Sequence, residues 1–594
     1  MRETVKSFGL GALAILPACL PAWGQAPDGV DAGRPNVIFI MADDLGIGDL
    51  GCYGQARIKT PAIDRLASNG MKFTRHYSGC TVSAPSRGVL LTGKHTGHAC
   101  IRGNKGVTAP DGLAYDWPLA EGEITVADIF KQAGYATACI GKWGLGGPQS
   151  EGTPDRHGFD DFFGYLGQAH AHRYYPQFLW DNGRKIQLDG KAYSHDLIVA
   201  RALDFIERKA GEPFFLYLTP TIPHADLTVP EGELGEYENL FAETPYTGKD
   251  YTHQPRPRAT FAAMVARLDR DVARIMQLLD KKGLTENTIV IFTSDNGAHA
   301  EGGHDPGFFR STGPFRGIKR DLYEGGIRTP FIVHWPAHVA KGSISGHVSA
   351  FWDFLPTTCA LTGIQPPPGI DGISFLPALT GKGEQLRHGY LYWEFHERGG
   401  KRAILKDNWK LIELFVNKPA QTRVELYDLS SDPGETADLS RQCPEKVREL
   451  TALLHQARTP DSIWMFAGEN PQNPLSMRSP NGGKPQVELG NKIPMGGKPQ
   501  IELVSTIPIG GKPQIEPVNK IPMRGNLQIK LGNKIPVGGK LQIALGSKMH
   551  MEGRLRSSPG GLSYIEGLFA AGQFEQKGIT RKALISCKII PREA

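Results

Sequence analysis

The chain has 594 residues, too many for one simple core, so we expect a large domain with smaller additions. Its hydrophobic share of 40% is that of an ordinary globular protein. The net charge of +6 does not indicate nucleic-acid binding, because residues 471–594 hold 18 Lys and Arg against 7 Asp and Glu, which leaves the remainder at −5.

The N-terminus predicts export. Basic residues precede an apolar run over 8–20, and the pattern fits a secretory signal peptide, residues 1–24, cleaved after Gly24. Cys19 lies in a sequence distantly similar to a lipoprotein cleavage box, so lipid anchoring stays a minor alternative. No other stretch is suited to span a bilayer. We therefore expect a periplasmic or secreted protein without stable membrane insertion.

The eight cysteines are too few and too scattered for a disulfide scaffold. In an oxidising compartment one or two bridges are compatible with the sequence, although their pairing cannot be deduced. The candidates are Cys52, Cys80, Cys100 and Cys139.

Two carboxylates end the first predicted strand. Residues 37–41 are continuously apolar, as in a strand buried on both faces of a sheet, and Asp43 and Asp44 follow them. Functional groups of open α/β sheets lie just beyond the carboxyl ends of strands. Adjacent carboxylates repel unless a cation lies between them, so the pair indicates a hard divalent ion. The alternative is a solvated turn before Gly46.

A short run around Ser83 is the chemical centre of the sequence. Residues 81–87 read Thr-Val-Ser-Ala-Pro-Ser-Arg, and an apolar helical pattern ending in Leu-Leu-Thr-Gly follows at 90–93. A serine followed by Ala-Pro-Ser-Arg resembles the signature of the sulfatase family, in which the Cys or Ser that opens the motif is oxidised to Cα-formylglycine. Without further partners, Ser83 would be interpreted as a helix N-cap hydroxyl.

The resemblance implies a 3-oxoalanine at position 83. Because the residue is Ser rather than Cys, it also implies an oxygen-independent radical maturase in a prokaryote. The hydrated aldehyde carries two hydroxyls, of which one attacks sulfur and the other later expels sulfate. Arg87 then stabilises the deprotonated hydrate.

Predicted helices and strands alternate through the middle of the chain. Thr125 and Asp128 form a capping pattern at a helix start, and Pro61 opens an earlier helix that ends at Gly70 as its C-cap. The predicted helices cover 61–70, about 125–134 and 259–282, and the strands cover 135–140, 214–218, 287–292 and 329–335.

Lys142 ends the strand over 135–140, and the resemblance gives it a role in binding both the sulfate and the formylglycine. The sequence departs from the family pattern Gly-Lys-Trp-His-Leu-Gly here, because Gly144 replaces its histidine. This leaves open which group takes the proton when the hydrate collapses. The His/aromatic cluster over 168–175 offers His172, and less so His170, as a replacement; a surface loop contacting substrate or solvent is the alternative.

Three further segments match the family in order. His224 follows a strand and is suited to bind sulfate oxygens and help the leaving alcohol depart. Asp295 and Asn296 end another strand, and the resemblance joins them to the early Asp pair and residue 83 around one Ca²⁺. Lys319 matches the lysine that contacts sulfate from the side opposite Lys142.

The polar loop between these segments offers further candidates for substrate contact. His299 and His304 are the substrate-binding candidates of this loop, which also carries Glu301 and Asp305. A solvated loop is an equal alternative.

Beyond residue 386 the pattern changes to short alternating strands and a helix near 445–456, typical of a smaller antiparallel sheet. The tail, 470–594, repeats a Gly-centred motif every 14 residues. Its Pro and Gly content favours disordered or weakly β structure, which would either bind an anionic glycan or cell envelope or be a translated DNA repeat without function.

The expected fold is α/β, with a large mixed, mostly parallel sheet sandwiched by helices, as in the alkaline phosphatase superfamily. The expected domains are a catalytic domain over 35–385, an antiparallel-sheet subdomain over 386–467 and the tail. The resemblance implies a sulfuric ester hydrolase acting on sulfated carbohydrates or aryl sulfates. Alternatives are a phosphodiesterase or phosphonate hydrolase of the same superfamily, and a non-catalytic glycan-binding protein.

Overall fold

The computed structural model describes residues 34–109 and 111–469, together with short strand segments between 500 and 571. The chain divides after Met477 into two units, each described by itself. The predicted signal peptide, residues 1–24, lies outside the described residues. Across the described ranges no helix has the length and apolar character needed to cross a membrane.

The first unit contains eighteen strands and eleven α-helices among its described residues. The strands are β1 (Asn36–Ala42), β2 (Met71–Phe73), β3 (His76–Tyr77), β4 (Gly106–Thr108), β5 (Ala114–Asp116), β6 (Ala136–Lys142), β7 (Asp161–Tyr165), β8 (Phe178–Asp181), β9 (Arg184–Gln187), β10 (Phe214–Thr219), β11 (Thr288–Ser294), β12 (Phe331–His334), β13 (Ser343–Ser345), β14 (Ser349–Ala350), β15 (Leu391–Phe395), β16 (Lys401–Lys406), β17 (Trp409–Leu414) and β18 (Arg423–Asp428). The helices are α1 (Pro61–Ser68), α2 (Ser83–Thr92), α3 (Val126–Gln132), α4 (Gln168–Ala171), α5 (Ser194–Arg208), α6 (Pro257–Lys282), α7 (Pro306–Phe309), α8 (Glu324–Ile327), α9 (Phe354–Thr362), α10 (Leu376–Thr380) and α11 (Pro444–Gln456).

Ten strands form one mixed sheet in the order β13-β2-β12-β11-β1-β10-β6-β7-β8-β9. Its centre, β11-β1-β10-β6-β7, is parallel, so the carboxyl ends of these strands meet at one edge. Strand β1 is buried along its whole length, which explains its uninterrupted apolar sequence. The expected large, mostly parallel sheet is confirmed.

Helices cover both faces of this sheet. Alternate residues of β1 point to opposite faces, so Val37 and Phe39 pack in one core with α2, α3 and α9. Ile38 and Ile40 pack in the other core with α1, α5 and α6. Each fully buried aliphatic or Phe side chain contributes about 1.5–3 kcal/mol relative to exposure. This arrangement is the predicted sandwich.

The smaller sheet, β15-β16-β17-β18, is antiparallel throughout, and α11 packs on one of its faces. Its other face shares a core with the large sheet's helices, because Trp393 of β15 lies 5.6 Å from Trp352 between ring centroids. The Trp393 indole N–H also donates to the Ser78 carbonyl at 2.9 Å, and the Cys80 thiol donates to the Glu394 carbonyl at 3.3 Å. Strand β15 thus lies directly behind the loop that leads into α2.

Predicted element bounds agree with the structure to within a few residues, and the Thr125–Asp128 capping box is present at α3. Two details differ. Helix α1 has Asn69 rather than Gly70 as its C-cap. The disulfides that the sequence allowed are absent, because all six described cysteines are free: Cys52, Cys80, Cys100, Cys139, Cys359 and Cys443.

In the second unit the described segments are short strands. They are β19 (Gln500–Leu503), β20 (Gln514–Ile515), β21 (Gln528–Leu531), β22 (Lys540–Ala544), β23 (Met549–Ser557), β24 (Ser563–Glu566) and β25 (Phe569–Ala571). Strands β19 and β21 pair in parallel, as do β20 and β22, in each case two 14-residue repeats apart. The expectation of disorder concerns residues that mostly lie outside the described ones.

Candidate active site

Four parallel strands deliver polar side chains to one edge of the large sheet. Asp43 and Asp44 follow β1, Asp295 and Asn296 follow β11, and Lys142 is the last residue of β6. The neighbouring β10 leads through a short turn to His224. Parallel strands present their carboxyl ends together, so residues from distant parts of the sequence converge here.

Ser83 is the first residue of α2 and is buried. Val82, not Ser83, is the N-cap residue, and no side chain caps the helix. The Ser83 hydroxyl instead donates to Oδ1 of Asp43 at 3.3 Å and accepts from Nζ of Lys142 at 3.2 Å. The N-cap interpretation therefore does not describe this hydroxyl, which lies between a carboxylate and an ammonium group at the positive end of a helix.

Arg87 lies one helical turn after Ser83 and is completely buried. Its Nη2 contacts Oδ2 of Asp295 at 2.9 Å, and its Nη1 donates to the Lys142 carbonyl at 2.9 Å. Burial opposes its charge, but Asp295 and Asp43 together raise the pKa of Arg87. The guanidinium is therefore a fixed cation, and its Nη2 lies 3.7 Å from the Asp43 oxygen that Ser83 also contacts.

Each of the two predicted sulfate-binding lysines contacts one carboxylate of the early Asp pair. Lys142 Nζ lies 2.7 Å from Oδ2 of Asp43, and Lys319 Nζ lies 2.7 Å from Oδ2 of Asp44. Burial alone would raise the pKa of Asp44, but Lys319 and His224 outweigh it and lower the pKa. Burial would likewise lower the pKa of Lys319, and Asp44 and Glu301 reverse this. The Lys319–Asp44 pair is thus held ionised inside the protein.

The five predicted metal ligands form one continuous cluster. Asp44 N–H donates to Oδ1 of Asp295 at 3.1 Å, and Asn296 Nδ2 donates to Oδ1 of Asp44 at 2.7 Å. Ser83 joins the cluster through Asp43. Oδ1 of Asn296 is buried and has no hydrogen-bond partner. A buried amide oxygen without a donor, on a residue whose Nδ2 contacts Asp44, fits a hard cation such as Ca²⁺, which prefers oxygen ligands.

His224 lies against Lys319 and is neutral. Its Nδ1 bonds the Ala225 carbonyl, which can only accept, so the ring proton is on Nδ1. Nε2 then accepts from Lys319 Nζ at 3.0 Å. Burial, followed by Lys319, lowers the pKa of His224 to about 3. His172 stacks on this ring with centroids 4.3 Å apart, and burial and His224 lower its pKa to about 2.

The other predicted histidines lie farther from Ser83. His299 is buried behind His224, with Nε2 3.3 Å from the Pro223 carbonyl. His304 is stacked on Phe261 at 3.6 Å in a fully buried position, with the contacts of a core side chain. His170 packs against Tyr165 and Phe178. Of the four substrate-binding candidates, the structure brings His172 and His299 to the site and places the other two in packing contacts.

Sequence reasoning did not find two residues at the open side of the site. Arg320 pairs with Glu301, which also contacts Lys319 at 3.2 Å, and the Tyr251 hydroxyl donates to Glu301 at 2.8 Å. Burial opposes the charge of Glu301, but Lys319 and His224 lower its pKa. Arg320 could have been predicted from the sequence, because it directly follows Lys319. Tyr251 could not, because it lies in a loop without a motif.

Comparison with known proteins places these residues in a recognised context. Residues 35–364 match the family model described as Sulfatase, and residues 316–459 match one described as N-sulphoglucosamine sulphohydrolase, C-terminal. A relative named N-acetylgalactosamine-6-O-sulfatase, from Bacteroides thetaiotaomicron, is 33% identical over 525 residues, covering 76% of this chain and 98% of the relative.

Two solved structures resemble the chain over its first unit. One, from work on the metabolism of multiple glycosaminoglycans by Bacteroides thetaiotaomicron, has a TM-score of 0.58 at 29% identity, covering 72% of this chain and 100% of the other. The second is Ps i-CgsB in complex with k-i-k-neocarrahexaose, with a TM-score of 0.60 at 27% identity, covering 72% and 94%. The first family match contains every residue of the cluster around Ser83.

Proposed function

The chain belongs to the sulfatase family and is a sulfuric ester hydrolase, and on that premise we propose that it removes sulfate from carbohydrate sulfate esters. The observation that carries this proposal is the position of Ser83. Its hydroxyl lies at the N-terminus of α2 between Asp43 and Lys142. The same group of residues includes the Asn296 oxygen that lacks a partner. The predicted sulfatase identity is confirmed, whereas the assignment of individual site residues is part of the proposal.

We propose that Asp43, Asp44, Asp295 and Asn296 hold one Ca²⁺, with residue 83 as a further ligand. When bound, the ion supplies positive charge that orients the sulfate oxygens. In the structure Lys142 and Lys319 contact the same carboxylates, so the site already carries balanced charge. The two ammonium groups and the helix N-terminus then bind a sulfate group as a tetrahedral anion.

Residue 83 in its proposed 3-oxoalanine form supplies, as a hydrate, one hydroxyl for attack on sulfur and a second for release of sulfate. Arg87, one turn away and always charged, stabilises negative charge at this position. Lys142 contacts the Ser83 oxygen directly and steadies the same charge from the other side. Because of these contacts, we assign the nucleophile position to residue 83 and not to another buried hydroxyl residue.

The leaving alcohol requires a proton. Lys319 is charged, and its Nζ lies 3.0 Å from the lone pair on Nε2 of His224. We assign the proton to this pair: Lys319 holds it and His224 fixes the direction of the ammonium group. His172, stacked on His224, keeps that ring in place. The departing oxygen is neutralised as the S–O bond breaks.

A sugar ester is the proposed substrate because the open side of the site carries hydrogen-bonding groups. Arg320, Glu301, Tyr251 and His172 line this side and are only partly buried. The relative from Bacteroides thetaiotaomicron is named for a 6-O-sulfated N-acetylgalactosamine, and we propose sulfated N-acetylhexosamines first. Export through the 1–24 segment, and maturation by a radical enzyme, complete the proposal.

Mass spectrometry of the peptide containing residue 83, combined with a substrate panel, tests this function. Protein produced with a radical maturase should show the loss of two hydrogens at residue 83 and release sulfate from a sulfated N-acetylhexosamine. Ser83→Ala should fold normally and release none. Retained serine in protein from its native host would favour the glycan-binding alternative. Faster hydrolysis of phosphate or phosphonate esters than of sulfate esters would favour the related hydrolases.

A further inference from the structure

Asp116 holds Gln168 at both its backbone and its side chain. Oδ2 of Asp116 accepts the Gln168 backbone N–H at 2.9 Å, and Oδ1 accepts its Nε2 at 2.7 Å. Asp116 ends β5 and is buried, whereas Gln168 opens α4 and is half-buried. A carboxylate that accepts two bonds from one residue fixes both the backbone and the amide group of that residue.

Gly144 makes room for this side chain. A Cβ atom on Gly144 would lie 3.1 Å from Cγ of Gln168 and 3.8 Å from Oδ2 of Asp116. The Gly144 φ of +77° also favours glycine. Gly144 lies two residues after Lys142, whose ammonium group contacts Ser83. The Gln168 side chain therefore lies against the space that a larger residue at 144 would fill.

Asn104 connects the amide to the beginning of α2. Its Oδ1 accepts the Ala84 backbone N–H at 3.3 Å and lies 3.4 Å from Nε2 of Gln168. Because Oδ1 atoms of Asp116 and Asn104 both face Nε2, the orientation of the Gln168 amide is determined by its partners. Its Oε1 accepts no hydrogen bond from any residue in the described part of the chain. The side chain thus offers one free acceptor, and Asn104 links it to the first turn of α2.

We propose that Gln168 contacts the substrate, its Oε1 accepting a hydrogen bond from a hydroxyl or amide N–H of the sugar that bears the sulfate. Asp116 is the positioning residue for this contact. The inference rests on the proposed function, because it assigns a substrate group to the same site.

The charge around Gln168 selects a neutral donor. Within the described ranges no Lys, Arg or His lies within 4 Å of an Asp116 carboxylate oxygen. Burial raises the pKa of Asp116, although the hydrogen bonds from Gln168 and, more weakly, the charges of Lys142 and Arg87 oppose this. A second sulfate group at this position would meet a carboxylate and an amide oxygen with no cation in contact, so the subsite accepts an uncharged part of the sugar.

Two substrates separate this contact from catalysis. N-acetylgalactosamine 6-sulfate offers hydroxyl and N–H donors, and 4-nitrophenyl sulfate offers none. Gln168→Leu keeps the size and removes the acceptor. It should raise KM for the sugar about five- to tenfold while changing kcat by less than about twofold, the loss of one neutral hydrogen bond. Both constants for the aryl sulfate should stay within about twofold.

Asp116→Asn tests the positioning role, because an amide cannot accept both donors from Gln168. It should raise KM for the sugar by a similar factor, and the double variant should not exceed the larger single effect. Gln132→Leu, at an exposed position on α3, is the matched control and should change neither substrate.

Equal losses on both substrates, or no change on either, would overturn the assignment of Gln168. Additive effects of the two substitutions would overturn the positioning role of Asp116. Wild-type protein with oxidised residue 83 that hydrolyses neither substrate would refute the proposed function and this inference with it. If the wild type were active and neither Gln168→Leu nor Asp116→Asn changed KM for the sugar, this inference alone would be refuted.

Discussion

Two buried clusters of opposite charges differ in whether they are enclosed by the protein or continue to its surface. The site cluster consists of Asp43, Asp44, Asp295, Arg87, Lys142 and Lys319 at the edge of the large sheet. The junction cluster consists of Glu324, Arg328, Lys410 and Glu435 between the large sheet and the small one. Both are almost completely buried.

In the junction cluster, Lys410 lies 2.9 Å from one carboxylate oxygen of Glu324 and 2.9 Å from one of Glu435. Arg328 and the Tyr77 hydroxyl contact the second oxygen of Glu324 at 3.0 Å and 2.9 Å. Oε1 of Glu435 is held by its ion pair alone and has no hydrogen-bond partner, as is true of the Asn296 oxygen that the site cluster borders. The site cluster differs in that it also borders the partly exposed Glu301–Arg320 pair, which reaches the surface. The difference indicates that the junction charges stabilise the fold, whereas the site charges await ligands.

The largest expected effect is on activity, from a site variant that barely changes stability. Asp44→Asn should lower kcat/KM for a sulfated sugar by about 10³-fold, because it removes charge from the ion and sulfate site. Lys319 keeps Glu301 as a partner, so the free energy of unfolding should change little. The measurement is steady-state kinetics with chemical denaturation of the same preparation.

Asp49→Asn is the matched control for that variant. Asp49 is equally buried five residues later and accepts the Gly46 N–H, and burial raises its pKa to about 7. Its replacement should keep activity within a few-fold. If the Asp44→Asn enzyme had a near-normal kcat/KM, the site cluster could not be distinguished from the junction cluster by its role in activity.

The second effect is on stability, from a junction variant that leaves the chemistry intact. Lys410→Met removes the cation shared by two buried carboxylates, of which Glu324 keeps Arg328 and Glu435 keeps no other cation in the described part of the chain, so the free energy of unfolding should fall by about 3 kcal/mol. Activity per folded molecule should stay within about twofold. The half-buried Lys406 of the same small sheet, which pairs with Glu449 near the surface, gives the control Lys406→Met, for which a far smaller change is expected because ion pairs near the surface contribute little. If Lys410→Met lost activity but kept its free energy of unfolding, the junction cluster would not have the purely structural role assigned to it.

Calcium should stabilise the protein through the site cluster alone. At 100 times its dissociation constant, a bound ion adds about 2.7 kcal/mol to the free energy of unfolding. Thermal denaturation with and without Ca²⁺ measures this, independently of activity. Asn296→Ala should weaken the response, and Lys406→Met should keep it. An unchanged response in Asn296→Ala would exclude its oxygen as a ligand.

The smallest effect is a pH dependence from the junction cluster. Burial, opposed by Lys410, raises the pKa of Glu435 from 4.5 to about 7. The folded state therefore binds this proton more tightly than the unfolded state, so its contribution is complete below pH 4.5 and is lost as pH rises through 7. Between pH 5 and 8 the loss should be about 2 kcal/mol. The pKa of Glu324 is lowered, so it titrates below this range.

Glu435→Gln should flatten this dependence in denaturation curves measured from pH 5 to 8. Comparing the variant with the wild type at each pH cancels the contributions of other buried acids, such as Asp269. Identical slopes for the two proteins would show that Glu435 does not titrate in this range.

Sequence reasoning predicted the site cluster more completely than the junction cluster. Asp43, Asp44, Lys142 and Asp295 lie at the ends of strands, and the resemblance to the family grouped Asp43 with Asp295 across more than 250 positions. The junction residues belong to no motif, and their partnership depends on how the small sheet packs. The disulfide bridges that the sequence allowed are absent among the described cysteines for a similar reason. The spacing of cysteines in the sequence does not determine which thiols lie close together in the fold.

The change at Gly144 was visible in the sequence, but its consequence was not. Gln168 and Asp116 come from α4 and β5, and only the folded chain shows that they fill the adjacent space. A motif search detects that the family's histidine is missing. It does not show which residues lie in the space beside Gly144, because the fold brings them there from other parts of the chain.

Strand β15 limits how far the protein can be truncated from its C-terminus. Its Trp393 and Glu394 hydrogen-bond the loop that carries residue 83 into α2, although they lie beyond the end of the 35–364 match. A stop codon placed after that match would leave the indole-sized space behind Ser78 open to water and the loop unsupported. Expression of the first family match alone should therefore yield insoluble protein, and the shortest workable clone must extend through α11.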